Sequence, residues 1–133
     1  MSGTGTEAES GKGILDGVRV LDWTSMAAGP GATAVLADFG ATVIKVEPPK
    51  GDPWRRILRV HQTGRPQSFG SVFEHDNRGK RSIALDLSCP AGRVAFLLLL
   101  DSCDVLVTNV RVAGTQRLGF DYETLRSRYP QLM

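Results

Sequence analysis

Two stretches of this 133-residue chain combine residue types and spacing that chemistry could use. The first is Gly29-Pro30-Gly31-Ala32-Thr33-Ala34, a G-x-G-x-x-A pattern that would let a pyrophosphate approach a helix N-terminus, with Glu47 further on where an acid could hold a ribose. Two features weigh against a dinucleotide there. Five residues, Thr24 to Ala28, separate the preceding strand from Gly29, and Pro30 removes an N–H that would face the phosphate. A glycine-permitted close contact between helix and strand explains the pattern better. The second stretch is Asn77-Arg78-Gly79-Lys80-Arg81-Ser82, three cations in four residues. Arginine grips a phosphate as a fork and lysine as a point charge, although such runs more often form a solvated face. Arg117 is a further cation, downstream of Asn109.

Other chemistries lack their residues. His61 and His75 stand 14 residues apart with no cysteine or carboxylate at ligand spacing, so neither a zinc site nor a nucleophilic triad is expected, and no metal is expected at all. Neither G-x-S-x-G nor G-x-x-x-x-G-K-[ST] occurs. Cys89 and Cys103 form no C-x-x-C and read as reduced, partly buried thiols of a cytoplasmic protein.

The elements that must position these residues alternate between strand and helix. Residues 1–13 are Gly, Ser, Thr and Glu with little apolar content, and predict a disordered tail. A first strand is expected over Val18–Trp23, buried on both faces. A helix follows, with Pro30 in its first turn, a buried stripe of Ala32, Val35, Leu36 and Phe39, and Gly40 as its stop. Ala41–Glu47 is a second strand, ended by Pro48-Pro49. Lys50–Asn77 carries no sustained period and predicts a long irregular loop of the kind that serves function. Ser82–Leu87 is a third strand, Pro90 to about Leu100 a helix, and Asp104–Asn109 a fourth, mostly buried strand. Short helices are expected around Thr115–Leu118 and Tyr122–Tyr129. The pattern predicts an α/β domain with a parallel sheet over residues 14–133. The chain reaches Met133 where a further apolar strand is expected to start, so the sheet reads as incomplete. Ligands of such sheets gather beyond the carboxyl ends of the strands, where Ser25, Glu47 and Asn109 fall.

Composition narrows the class. Sixteen Lys+Arg against 14 Asp+Glu give a net charge of +2, too small for an electrostatic nucleic-acid binder. The longest apolar runs, such as Val94–Leu100, fall far short of a membrane span, and the polar N-terminus with Glu7 and Glu9 is no signal peptide. Neither a nucleic-acid nor a membrane partner is expected.

Several blocks together resemble the family III CoA-transferases, the group that includes formyl-CoA transferase and α-methylacyl-CoA racemase. They are Leu15–Asp22, Ala28-Gly29-Pro30, Leu36–Glu47 with Gly51-Asp52, Asn77 with Gly79–Leu87, Asp104–Asn109 and Arg117–Tyr122, in family order. The resemblance implies a Rossmann-like α/β large domain, of which this chain carries the N-terminal part, and two interlocked subunits. It implies that coenzyme A, as an acyl-CoA substrate, lies across Ser25, Met26, Ala27, Ala28, Leu85, Asn109, Val110, Gly114 and Arg117, with Arg117 on a phosphate. A carboxylate would be the acceptor, and the partner a second copy or a complementing C-terminal chain.

This sequence departs from the family pattern in three places. Asn109-Val110-Arg111-Val112-Ala113-Gly114 lacks the aromatic and the Pro-Gly step that often follow strand four, and so lacks a flat face for a base. Pro48 stands where some members carry an arginine. The family's Asp nucleophile, and the racemases' His and Asp pair, correspond to positions beyond Met133. The expectation is therefore an N-terminal, CoA-binding portion without turnover of its own. The alternatives are a racemase-like fragment, a non-catalytic partner chain of a split gene, and a nucleotide-binding module built on Gly29 and Gly31.

Overall fold

Val20 and Leu21 are adjacent, both have no exposed surface, and they serve opposite faces of one sheet. In this computed structural model, which describes residues 13–57 and 71–133, they belong to β1 (Arg19–Trp23). Strands β2 (Thr42–Glu47), β3 (Arg81–Ala84) and β4 (Val105–Thr108) join it in the order β3-β2-β1-β4, each pair parallel. Helices α1 (Ala28–Asp38), α4 (Pro90–Leu100), α5 (Val112–Leu118) and α6 (Tyr122–Arg128) flank the sheet, and α2 (Trp54–Ile57) and α3 (Ser71–Asp76) follow β2. The expected α/β architecture with a parallel core is what forms. The tail expected over residues 1–13 falls almost wholly outside the described residues, as does His61.

Two cores result, one for each face. Val20, Ala41 and Val43 pack with Leu36 and Ala37 of α1. On the other face Leu21, Trp23 and Val46 meet Phe96 and Leu100 of α4 and Phe120, Leu125 and Tyr129. Trp23 presents its edge to Phe96 and Phe120, at centroid distances of 5.2 and 5.9 Å, while those two rings stack at 4.7 Å. Each fully buried ring or leucine contributes roughly 1.5–3 kcal/mol from burial. The aromatic trio therefore fixes where β1 ends relative to α4.

Helix α1 corrects the expected stripe. Pro30, Thr33 and Ala34 are buried, whereas Ala32, Val35 and Phe39 are not and Leu36 is only half-buried. The helix turns its small residues inward because Thr33 Oγ1 must reach Asp22 Oδ2 at 2.7 Å, and that approach leaves no room for large side chains. Gly40 does stop it, at φ +103°, a conformation few other residues tolerate. Three further expectations need correction. The region 50–77 is not wholly irregular, because α2 and α3 lie in it. The fourth strand is half-buried rather than mostly buried, because β4 lies at the end of the sheet order. Helix α5 begins three residues earlier, at Val112. After α6 the chain returns to the sheet. The Met133 N–H donates to the Asp104 carbonyl at 3.0 Å, and its carbonyl accepts from the Leu106 N–H at 2.8 Å, the bonding of a residue entering beside β4 in parallel.

Candidate functional site

A parallel sheet brings all its carboxyl ends to one edge, and here the loops leaving that edge enclose a cleft of about 450 Å³. Trp23, Thr24 and Ser25 come from the end of β1, and Val46, Glu47 and the two prolines after it from β2. Leu85–Ser88 follow β3, Val110 follows β4, and Leu118 closes the cleft from α5. The walls are mostly apolar. Leu85 continues the β3 pairing through its N–H to the Glu47 carbonyl at 2.8 Å, which fixes that wall against β2.

The loop from Thr24 to Ala28 is held from below by buried charge. Asp22, with no exposed surface, accepts from the Thr24 N–H at 3.0 Å, the Thr24 hydroxyl at 2.5 Å, the Thr33 hydroxyl and Lys80 Nζ at 2.9 Å. Lys45 Nζ donates to the Thr24 carbonyl at 2.9 Å and pairs with Asp52 at 3.0 Å, both side chains 1% exposed. Asp52 in turn accepts from the N–H groups of Met26 and Trp54, at 3.4 and 2.9 Å. Buried charges persist only when paired and hydrogen-bonded, and these are. Their grip lets Met26 hold φ +69°, a left-handed conformation that a non-glycine residue adopts at a cost of roughly 1 kcal/mol or more.

Glu47 is fixed as firmly. Arg55 grips it bidentately at 2.6 and 2.7 Å, and the Ser82 hydroxyl and the Asp52 N–H donate to it at 2.6 and 2.9 Å. Burial pushes its pKa up, but these four donations outweigh it and hold the carboxyl down at about 2. Glu47 is thus already engaged and has no free oxygen geometry suited to a ribose. A Cβ on Gly29 would sit 2.7 Å from the Thr24 Cβ, so this glycine serves close packing of α1 on the β1 loop. The dinucleotide arrangement is not built here.

In the cationic run Asn77–Ser82, Lys80 and Arg78 are already engaged within the protein. Lys80 is buried, donating to Asp22, the Pro30 and Asp76 carbonyls and Asn77 Oδ1, and burial pushes its pKa down. Arg78 forks onto Asp38 and bonds the His75 carbonyl at 2.7 Å. The sequence offers no sign that one cation of the run points inward, because the sign needed is the buried Asp22 far upstream.

The residues singled out for a ligand meet in part. Ser25 and Asn109 are bonded reciprocally, the Ser25 N–H to Asn109 Oδ1 at 3.0 Å and Asn109 Nδ2 to the Ser25 carbonyl at 2.8 Å. Ser25, Leu85 and Val110 line the cleft. Arg117 lines a second cleft, also of about 450 Å³, which shares Leu87, Ser88 and Leu118 with the first. Met26, Ala27 and Ala28 stand beside the cleft rather than on its wall, at the start of α1, which no side chain caps. Gly114 acts from behind: a Cβ there would come 3.0 Å from Val110 Cγ1. Sequence reasoning missed Trp23, the prolines 48, 49 and 53, Leu87, Ser88, Arg93 and Leu118. The same strand-end rule that found Ser25 would have found Pro48 and Leu87, had it been applied to β2 and β3. Among the described residues no three His, Cys, Asp or Glu side chains cluster as metal ligands, and no helix is long and apolar enough to cross a membrane.

Comparison with known proteins gives this geometry a context. The profile of CoA-transferase family III matches residues 15–133. Succinyl-CoA:mesaconate CoA-transferase of Haloarcula hispanica is 44% identical over 121 residues, covering 91% of this chain and 31% of that protein. The crystal structure of a CAIB/BAIF family protein from Brucella suis superposes with a TM-score of 0.84 at 36% identity, over 92% of this chain and 32% of that one. Rv3272 from Mycobacterium tuberculosis, in its orthorhombic form, gives 0.83 at 43% identity, over 92% and 33%. The chain spans about a third of the length of each of these.

Proposed function

Since the chain belongs to CoA-transferase family III, we propose that it binds the CoA thioester of a CoA-transfer reaction in the cleft at the carboxyl ends of its strands. The observation that carries this is the Ser25–Asn109 bridge beside a cleft lined by Leu85 and Val110. Three expected residues, Ser25, Leu85 and Val110, line one apolar space, with Asn109 bonded to Ser25 and Arg117 in the space adjoining it. An apolar wall suits a pantetheine chain or acyl group, and a guanidinium suits a phosphate.

The part played by the described residues is recognition. Of the carboxylates on the cleft wall, Glu47 is held by Arg55 and Ser82, and Asp86 accepts the Ser88 N–H and hydroxyl at 3.0 and 2.5 Å. The reaction proposed for the whole enzyme is transfer of CoA from an acyl-CoA to a carboxylate acceptor. An Asp nucleophile outside residues 1–133 attacks the thioester carbonyl, giving an acyl–Asp anhydride and CoA thiolate; the thiolate attacks the Asp carbonyl and expels the donor carboxylate, leaving an Asp–CoA thioester. The acceptor carboxylate then displaces CoA as a new anhydride, and the thiolate attacks the acceptor's acyl carbon, forming the product thioester and freeing the Asp. The similar proteins that are named as enzymes being CoA-transferases favours transfer over racemisation. A second copy or a complementing chain as partner belongs to the same proposal, as does a cytoplasmic location.

Calorimetric titration of the purified chain with CoA and, separately, with NAD tests the proposal. Saturable binding of CoA with none of NAD is expected. Binding of NAD in preference to CoA would overturn it.

A further inference from the structure

Two walls of the cleft are tied to one buried carboxylate. Ser25 stands on the wall that leaves β1, and Pro48, Pro49 and Pro53 on the wall that leaves β2. After β2 the chain reverses, the Gly51 N–H closing on the Pro48 carbonyl at 2.7 Å with Gly51 at φ +76°. The reversal brings Asp52 back to the strand end, where it is 1% exposed and its N–H donates to Glu47 Oε2 at 2.9 Å. From there its side chain reaches both walls. Oδ1 accepts from the Trp54 N–H at 2.9 Å, next to Pro53, and from the Met26 N–H at 3.4 Å. Oδ2 pairs at 3.0 Å with Lys45 Nζ, which donates at 2.9 Å to the Thr24 carbonyl. The loop after β1 is thus bound to Asp52 on both sides of Ser25, directly at Met26 and through Lys45 at Thr24.

Met26 shows what that grip does. It is the one non-glycine at positive φ among the described residues, and its side chain is exposed, so backbone contacts must hold it. A left-handed residue of this kind persists only where the surrounding structure dictates it. The Met26 N–H taken by Asp52 and the Thr24 carbonyl held by Lys45 are those contacts. Ser25, between them, is then presented to Asn109 and to the cleft.

We infer that Asp52 is a positioning residue, which sets the Ser25 wall against the proline wall by holding Met26 left-handed. The inference rests on the proposed CoA site and deepens it. Asp52 lies off the cleft wall and acts through Thr24, Met26 and Trp54.

The experiment is calorimetric titration with CoA of the 133-residue chain, Asp52→Asn, Met26→Gly and the two combined. Backbone NMR shifts of residue 26 in the wild-type chain and Asp52→Asn report the sign of its φ without any ligand. Should Asp52→Asn not fold, Lys45→Met combined with Asp52→Asn, which leaves no unpaired charge, takes its place. In Asp52→Asn the Met26 shifts are expected to move toward those of negative φ, and CoA affinity to fall about tenfold. Glycine adopts positive φ without strain, so in the Met26→Gly background the same substitution is expected to weaken CoA less than about threefold. The drop in urea midpoint is expected to be the same in both backgrounds, which separates positioning from general loosening. Equal loss of CoA in both backgrounds, or no loss in either, overturns the positioning role and leaves the CoA proposal standing. Left-handed Met26 shifts retained in Asp52→Asn overturn it too. Altered Met26 shifts with no CoA bound by the wild-type chain keep Asp52 as the group that sets the loop and reject the CoA proposal.

Discussion

Asn109 closes on Ser25 across 84 residues of sequence, and the two hydrogen bonds between them join the ends of β1 and β4. The carboxamide is suited to this because one side chain both donates to a carbonyl and accepts from an N–H. Asn109→Asp keeps an acceptor but sets a carboxylate oxygen against the Ser25 carbonyl. It is expected to lower stability by about 1 kcal/mol and to weaken CoA several-fold. Urea unfolding and calorimetry read the two effects, and an Asn109→Asp protein indistinguishable from wild type would show that the bridge organises nothing.

Lys80 and Arg78 are two residues apart and make opposite kinds of ion pair. The Lys80 and Asp22 side chains are 1% and 0% exposed, while those of Arg78 and Asp38 are 40% and 45% exposed. Lys80→Met strands the Asp22 carboxylate in the core and is expected to cost about 3–5 kcal/mol. Arg78→Ala is expected to cost less than about 1 kcal/mol. Equal urea midpoints for the two variants would contradict the burial argument.

Gly92 lies where α4 crosses the turn after β3. A Cβ there would come within 1.9 Å of the Asp86 carbonyl oxygen, a backbone atom that cannot swing away. Gly92→Ala must therefore lift α4 off the 86–88 loop that both clefts share. An expected loss of about 2–4 kcal/mol, measured by thermal or urea unfolding, accompanies weakened ligand binding. A neutral effect would mean that this contact is not maintained in solution.

Apolar period and the Gly and Pro punctuation make most of the framework legible in the sequence. The alternation of strands and helices, with Pro30, Gly40 and Pro90, marks the four strands and the helix ends within a few residues. The buried face of α1 is not legible, because periodicity counts apolar residues and cannot register that Thr33 must bond Asp22. The same holds for Lys80, which looks like its charged neighbours until the buried carboxylate beneath it is known. The site is half legible: strand-end logic and family resemblance find Ser25, Leu85, Val110 and Asn109. Arg93 stays hidden because it comes from a helix rather than a strand end, and only three-dimensional packing sets it beside Arg117.

Glu47 gives the fold a pH dependence of defined sign. Its carboxyl is held at about 2 when folded, against 4.5 as the ordinary value, so protons prefer the unfolded chain. The stabilisation is complete above about pH 4.5 and is lost as pH falls toward about 2, amounting to a few kcal/mol at most. Stability of the wild-type chain is expected to fall more steeply over this range than that of Glu47→Gln. Parallel curves for the two proteins would show that the Arg55–Glu47–Ser82 contacts do not set the carboxyl's proton affinity.

The most direct measurement is the change in backbone amide NMR shifts of the 133-residue chain on addition of CoA. Large changes at Ser25, Leu85, Ser88, Val110 and Leu118, with little at the solvent-facing end of α6, are the predicted result. No change at any strand end, or changes confined to Gly29–Gly31 and matched by NAD, would contradict a thioester cleft at this edge of the sheet.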